Sequence, residues 1–201
     1  MRGSMGPGRV TIISLRRKWM AAAIFLAAAV LGLTPAAAQF SPTFQFMQAL
    51  KKQDFYGIKT NVLKGANVNA RDDDGTPALV LAAGMGEAGV VRFLIEQGAN
   101  VDAASGSNKE TALMRAAANG DKFSTAVLLY FKANPNMGDK LGETALMKAV
   151  KSGNADVIKL FIDAKADLMV EDNTGHTALD YAKSSRKSSI VKLLTEAGAE
   201  Y

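Results

Sequence analysis

Small and apolar residues recur along this chain at a nearly constant interval of about 33 residues. The stretch KETALMRAAANGD at 109–121 returns as GETALMKAVKSGN at 142–154. Its leucine recurs at spacings of 34, 33 and 33 residues, at Leu79, Leu113, Leu146 and Leu179. An alanine followed by Asn, Asp or Glu recurs at spacings of 33, 34, 33 and 33, at Ala66, Ala99, Ala133, Ala166 and Ala199. Because both markers share one period and one single-residue insertion, the chain repeats one structural unit.

Each period predicts a helix, a turn, a second helix and an extended turn. In 139–171, Thr144 can cap a helix with its hydroxyl, and Gly153 can end that helix in a left-handed turn. The apolar stripes of the two helices are Ala145, Leu146, Ala149 and Val150, then Val157, Ile158, Phe161 and Ile162. Asp172 and Gly175 supply the turn that begins the next period. A single pair of such short helices buries too little surface to persist alone, so the periods must stack.

The recurring residues resemble the ankyrin repeat, whose pattern is D-x-x-G-x-T-P-L-H-x-A-A-x-x-G, an amphipathic helix and G-A-D-V-N. The matching residues are Asp72, Gly75, Pro77, Leu79, Ala82, Ala83, Gly86 and Gly98; Thr111, Ala112, Leu113, Ala116, Ala117 and Gly120; Asp139, Gly142, Thr144, Leu146, Ala149 and Gly153; and Asp172, Gly175, Thr177, Leu179 and Ala182. The resemblance covers about residues 43–201. It implies an all-α solenoid of about five helix-turn-helix units joined by hairpin-like loops, near 43–71, 72–105, 106–138, 139–171 and 172–201.

Several positions depart from the family pattern. Lys132 and Lys165 occupy the glycine position that ends the second helix, and Lys109 occupies the hairpin glycine position. The histidine that helps to order the loops of typical repeats is absent, which predicts a less rigid stack; its position holds Val80, Met114, Met147 and Asp180. In the end units, Asn61 and Lys183 put polar side chains where internal units bury apolar ones, as expected of caps.

The first 38 residues predict a secretory signal peptide. Basic residues end at Lys18, an uncharged apolar zone covers 20–33, and the small residues of AAA precede Gln39. The apolar zone is shorter than the about 20 residues that a membrane-spanning helix needs. We expect cleavage between Ala38 and Gln39, which leaves an ankyrin repeat domain over 39–201 in the periplasm of a bacterium or outside the cell. A membrane anchor that is not cleaved is the alternative.

Charge and composition exclude further classes of function. The formal net charge is +5, from 24 basic and 19 acidic residues. Five of the basic residues and no acid lie in 1–38, so 39–201 holds 19 residues of each sign and is formally neutral. A nucleic-acid-binding protein needs a cationic surface, so no nucleic acid is expected as a partner. The chain has no cysteine, which excludes disulfides and thiolate metal ligands.

Few residues of the chain are of a type and spacing that would support catalysis or metal binding. The one histidine, His176, has no second histidine or cysteine at metal-ligand spacing. The acids of RDDDG at 71–75 fit a solvated hairpin tip, since a calcium loop needs alternating ligands and a distal glutamate. We therefore predict no catalytic residue, no metal and no cofactor. An enzyme or a metal-dependent factor is the disfavoured alternative.

The predicted function is a non-enzymatic scaffold that binds a protein partner. The resemblance implies contact through hairpin tips and the concave face of the first helices, at positions Asp73, Asp74, Met85, Asn119, Lys140, Glu143, Lys151 and His176. A second predicted contact is an exposed apolar cluster of Tyr130, Phe131, Met137 and Leu141. We expect a monomer that has no contact with a membrane once the signal is removed.

Overall fold

The computed structural model describes residues 41–199, in which five pairs of short helices follow one another. In chain order the helices are α1 (Pro42–Lys51), α2 (Phe55–Leu63), α3 (Ala78–Gly84), α4 (Ala88–Glu96), α5 (Ala112–Ala118), α6 (Lys122–Tyr130), α7 (Ala145–Ser152), α8 (Ala155–Asp163), α9 (Ala178–Ser184) and α10 (Ser188–Glu196). This order confirms the predicted all-α repeat solenoid. The predicted signal peptide and its cleavage site lie outside the described residues.

Side chains at the start of most helices satisfy the first free N–H groups. The hydroxyls of Thr111, Thr144 and Thr177 each accept a hydrogen bond, at 3.3, 3.4 and 3.3 Å, from the N–H three residues further on in α5, α7 and α9. The side chains of Asp121 and Asn154 each accept from two N–H groups at the start of α6 and α8. The cap predicted at Thr144 is therefore confirmed.

Left-handed residues fall in three columns of the repeat. The column that ends each odd-numbered helix holds Gln53, Gly86, Gly120, Gly153 and Arg186; the column that ends each even-numbered helix holds Gly65, Gly98, Lys132, Lys165 and Gly198; the hairpin column holds Gly75, Lys109, Gly142 and Gly175. Lys132 and Lys165 have φ angles of 65° and 57°. The fold therefore imposes the left-handed turn even where the sequence supplies no glycine.

Other side chains replace the family histidine in ordering the loops. The N–H of Thr111 and that of Thr144 each face a methionine sulfur, at 3.5 and 3.4 Å, and the N–H of Thr177 donates to Asp180 Oδ2 at 2.9 Å. In the second unit the cap residue is Pro77, which has no N–H, and the position three residues later is the apolar Val80. In the second to fifth units the donor and its acceptor are therefore either both present or both absent, a pairing that was not predicted from the sequence.

Stacking of the units produces one continuous core. Odd-numbered helices pack on the odd-numbered helices of neighbouring units, and each of them also packs on its even-numbered partner. One alanine column of the odd-numbered helices is completely buried, at Ala82, Ala116, Ala149 and Ala182. Phe46, which replaces the marker leucine in the first unit, is also completely buried. Among the described residues, no helix is both long and apolar enough to span a membrane.

Hydrogen bonds between the loops of successive units hold the stack in register. Each hairpin tip donates a backbone N–H to a carbonyl of the hairpin before it, in Gly106–Gly75 (3.2 Å), Lys140–Asn108 (2.8 Å) and Asn173–Leu141 (2.9 Å). A second ladder uses the side chains of Asn69, Asp102 and Asn136, each of which accepts from a backbone N–H of the next unit at 2.8 to 2.9 Å. These ladders place the same columns of neighbouring units side by side.

Candidate protein-binding surface

The stack has two faces that differ in their contacts. Side chains of the odd-numbered helices reach the hairpins through ion pairs, which include Lys51–Asp73 (3.3 Å), Arg115–Glu110 (2.6 Å) and Lys148–Asp139 (2.7 Å). We call the hairpins and the exposed sides of the odd-numbered helices the inner face. The exposed sides of the even-numbered helices form the outer face.

The inner face has a groove where α1, α3 and α5 meet. Leu81 and Met85 supply its apolar lining, Lys51 and Arg115 stand at its sides, and its volume is about 240 Å³. Gly84 also lines the groove, and the nearest atom that a Cβ there would meet is Arg115 Cγ at 3.8 Å. Pockets for small molecules usually enclose about 300–1,000 Å³. The groove is therefore of a size to hold one or two side chains of a protein.

The fourth unit carries a buried ionic cluster on the same face. Lys148 Nζ lies 2.7 Å from Asp139 and 3.3 Å from Glu143, and Lys151 also pairs with Glu143. Burial alone would raise the pKa of Asp139 and that of Glu143, but the hydrogen bonds from these lysines outweigh it and lower both. Burial alone would lower the pKa of Lys148, but its two carboxylate partners raise it. All three groups are therefore charged at neutral pH.

A second polar cluster joins the fifth unit to this one. The hydroxyls of Thr174 and Tyr181 donate to Asp172, and these hydrogen bonds hold the pKa of the carboxyl well below its ordinary value. The hydrogen bond to Asp172 in turn raises the pKa of Tyr181. Lys151 Nζ lies over the Tyr181 ring, 4.1 Å from its centroid, which links the two clusters by a cation–π contact.

These pKa shifts limit the acid–base chemistry that the two clusters can perform. A general acid or base works best with a pKa close to the ambient pH. The shifts of Asp139, Asp172 and Tyr181 all move the pKa away from neutrality. Among residues 41–199, no three His, Cys, Asp or Glu side chains are grouped as metal ligands. The clusters hold charges at fixed places, an arrangement that suits recognition of another surface.

Most of the contact residues predicted from the sequence lie on the inner face. They are Asp73, Asp74, Lys140, Glu143 and His176 on the hairpins, and Met85, Asn119 and Lys151 in or at the ends of odd-numbered helices. Met85 lines the groove, and Glu143 and Lys151 belong to the ionic cluster. The His176 ring lies 5.8 Å from the Tyr181 ring, centroid to centroid.

The structure divides the predicted apolar cluster between different surfaces. Tyr130 ends α6 and meets Phe131 edge to face, with 5.3 Å between ring centroids. Both line a shallow groove with Arg92 on the outer face. Leu141 lies at a hairpin tip, exposed, and Met137 is half-buried against the core. The four residues therefore do not form one site.

Sequence reasoning missed several residues of this face. Leu81, Arg115, Lys148 and Tyr181 were not singled out, although each stands two residues after a marker leucine. That position faces the hairpins in every unit where the structure gives it a contact. The column position shared by these four residues is the sequence signal that places them on one face, and it belongs to no known binding motif.

A family model described as ankyrin repeats (3 copies) matches residues 46–130 and residues 113–201 of the chain. The two matches overlap and together include all of α2 to α10 and part of α1. They agree with the helix pairs and hairpins described above. A search of curated proteins finds no match.

Proposed function

The chain belongs to the ankyrin repeat family, and we propose that it is a non-enzymatic scaffold that binds a protein partner through its inner face. Ankyrin repeats are protein–protein interaction modules. The observation that supports an inner-face site is the groove at Gly84, with Leu81 and Met85 as its apolar lining. Binding surfaces concentrate their energy in such small pockets, which hold an anchoring side chain and exclude water around it.

The groove favours a partner segment in which an apolar side chain stands next to a carboxylate. Met85 has a flexible, polarisable side chain that adapts to an apolar anchor. The side chains of Lys51 and Arg115 remain 41% and 42% exposed although each has an acidic partner. Each therefore keeps donor groups that can reach a carboxylate of the partner.

We further propose that the domain acts in the periplasm or outside the cell. The support is the order of basic, apolar and small residues in 1–38, which is that of a secretory signal. A membrane-anchored scaffold is the second candidate, because uncharged residues continue from Trp19 to Leu50. The mass of the protein recovered from cells decides between them: loss of 1–38 supports cleavage after Ala38, and retention supports the anchor.

Affinity capture from the exported fraction tests the inner-face site with two variants of one residue. Gly84→Trp fills the groove with a large side chain, whereas Gly84→Ala adds one methyl group at ordinary contact distance from Arg115. We expect the Trp variant to bind the captured partner at least about tenfold more weakly and the Ala variant to bind it normally. Equal binding by the Trp variant and the wild type would exclude this groove as the site.

The same capture tests the contact predicted at Tyr130 and Phe131. A double-alanine variant of these two residues removes their rings from the outer face and leaves the groove intact. Binding that survives this change but not Gly84→Trp assigns the partner to the inner face. Binding that fails only in the double-alanine variant assigns it to the outer face instead.

A further inference from the structure

The last unit carries a groove at the end of the stack, which we call the end groove. It lies along α9, α10 and the turn between them, two helices that pack on each other, and its volume is about 590 Å³. Its lining includes Lys183, Arg186, Val191, Lys192, Thr195 and Glu196. All of these residues belong to the fifth unit, so the end groove is separate from the inner-face groove where α1, α3 and α5 meet.

Two columns of the repeat that are completely buried in the internal units line the end groove in the last unit. One column holds Val91, Thr125 and Ile158 and then Val191; the other holds Ala83, Ala117 and Val150 and then Lys183. Val191 and Lys183 are instead only partly buried. Because no further unit covers these columns among the described residues, the end groove exposes an apolar residue beside a cation.

Basic side chains outnumber acidic ones in the end groove. The three bases are Lys183, Arg186 and Lys192, and the one acid is Glu196. Lys192 and Glu196 lie 3.7 Å apart with both side chains largely exposed, so water weakens this pair. Arg186 forms no ion pair with a described residue. The end groove therefore has a positive charge that its own residues do not neutralise.

The excess of bases remains when every charged residue of this helix pair is included. Lys187 Nζ donates to two carbonyls at the end of α7, at 2.7 and 2.8 Å. Asp180 accepts from the N–H and the hydroxyl of Thr177 and also attracts Lys183. In all, 178–196 holds four basic and two acidic residues. A terminal cap needs polar side chains but no particular sign of charge, so capping alone does not account for this excess.

We propose that the end groove binds an acidic segment of a protein, with an apolar side chain of that segment on Val191 and its carboxylates at Arg186 and Lys183. Arginine can bind a carboxylate through two parallel hydrogen bonds. The alkyl parts of lysine and arginine cover apolar surface while their charged ends stay in water, so one segment can use both. This site goes beyond the inner-face groove and does not depend on it.

The shape of the end groove favours an extended segment over a small anion or a lipid. It reaches from Ser188, the first residue of α10, to Glu196, the last, which is about 12 Å at about 1.5 Å per residue. About four residues of an extended chain cover that length. All of the lining comes from one unit, whereas a small-molecule site encloses most of its ligand. Clusters that bind anionic lipids hold about 4–8 Lys and Arg residues, more than this groove has.

Binding of a labelled peptide of about six residues, in which glutamate and leucine alternate, tests the end groove by fluorescence anisotropy. We expect a dissociation constant of about 100 µM or tighter at about 50 mM salt, and no binding of the same peptide with glutamine in place of glutamate. The test variant combines Lys183→Ala with Arg186→Gly. It gives both positions the residues of the third unit, and glycine suits the left-handed backbone of Arg186, so it should fold. It should bind the peptide at least about tenfold more weakly.

Lys159→Ala with Lys165→Gly is the matched control. It removes two exposed lysines of the fourth unit by the same substitutions, one in a helix and one in a left-handed turn. This control and Gly84→Trp should both bind the peptide as the wild type does. Equal loss in the control would overturn the proposal, since net charge alone would then explain binding. Loss in Gly84→Trp alone would also overturn it, because the acidic segment would then belong to the inner-face groove.

The wild type supplies a readout that needs no substitution. During the titration, the amide chemical shifts of Val191 and Thr195 should move, because both residues line the end groove. Shifts confined to other units would contradict the proposal, as would the lack of saturable binding up to about 1 mM. Binding to phosphatidylserine vesicles without binding to the peptide would assign the end groove to a lipid surface instead.

Discussion

Substitution of single residues can test the turn that ends each even-numbered helix. Lys132 and Lys165 adopt left-handed backbone angles there, which cost a residue with a side chain about 1–2 kcal/mol. Glycine avoids this cost but loses more conformational freedom on folding, by about 0.5–1 kcal/mol. We therefore predict that Lys132→Gly and Lys165→Gly each raise the free energy of unfolding by up to about 1 kcal/mol, measured by thermal melting.

Lys159→Gly is the control for that pair, because Lys159 is an exposed lysine inside helix α8. Glycine at a helix interior position lowers stability by about 1 kcal/mol relative to a good helix former. Glycine should thus raise the free energy of unfolding at the two turn positions and lower it at the helix position. A lowered or unchanged melting temperature in both turn variants would mean that these turns are not left-handed in solution.

The ionised side chain of Asp172 predicts how the stability of the fold depends on pH. Its folded-state pKa lies below that of the unfolded chain, about 3.9, so the ionised carboxylate stabilises the fold above about pH 4. This stabilisation is lost as the pH falls further toward the folded-state pKa. We predict that Asp172→Asn lowers the free energy of unfolding at pH 7 by about 1–2 kcal/mol, through weaker hydrogen bonds from Thr174 and Tyr181. Denaturant unfolding should show this difference from the wild type shrink below pH 4.

The exposed Asp163 provides the comparison for that experiment. Asp163→Asn should change the free energy of unfolding by less than about 0.5 kcal/mol at every pH. If the difference between Asp172→Asn and the wild type stays constant from pH 7 to about pH 3, the carboxylate does not titrate with the fold as described.

Between elements, one lysine joins the last helix pair to the end of α7. Lys187 Nζ donates to the carbonyls of Val150 and Lys151 at the end of α7, at 2.7 and 2.8 Å. We predict that Lys187→Met lowers the free energy of unfolding by about 1–2 kcal/mol, since these carbonyls lose their donor. The exposed Lys192 of α10 should tolerate the same change within about 0.5 kcal/mol. If Lys187→Met and Lys192→Met lower the free energy of unfolding in urea equally, the bonds from Lys187 do not stabilise the last helix pair.

Individual helices and their ends also show which parts of the structure could be predicted from the sequence. Thr144 and Gly153 predicted the bounds of α7 because caps and left-handed turns depend on nearby residues. Lys187 could not be predicted, because its partners are carbonyls in another unit. For the site, the column position of Met85 predicted its face, but the groove beside it also includes Lys51 and Arg115 of the neighbouring units, which lie far from Met85 in the sequence. Tyr130 contacts Phe131 of its predicted cluster, whereas Met137 and Leu141 lie on other surfaces, because helical periodicity does not tell which exposed side a residue takes.

At the scale of the whole molecule, the helix packing described above joins each unit to its neighbours, so we expect stability to be a sum of unit and interface contributions. The third and fourth units present almost the same surface to the next one. Their buried columns are Ala112, Leu113, Met114, Ala116 and Ala117, and Ala145, Leu146, Met147, Ala149 and Val150. The bonds from Lys187 end on backbone carbonyls, which any unit supplies. Unit five should therefore be able to stack directly on unit three.

Deletion of residues 139–171 tests that conclusion. The shortened chain keeps the register of every column, so we predict four stacked units with the wild-type helix content per residue and one cooperative transition. Its melting temperature should fall by about 5–15 °C, since one unit and one interface are lost. Deletion of 139–153 is the control, because it removes α7 and leaves α8 without its partner. Circular dichroism should show lost helix and a broad transition for the control alone; the same loss in the register-preserving deletion would show that the units are not interchangeable.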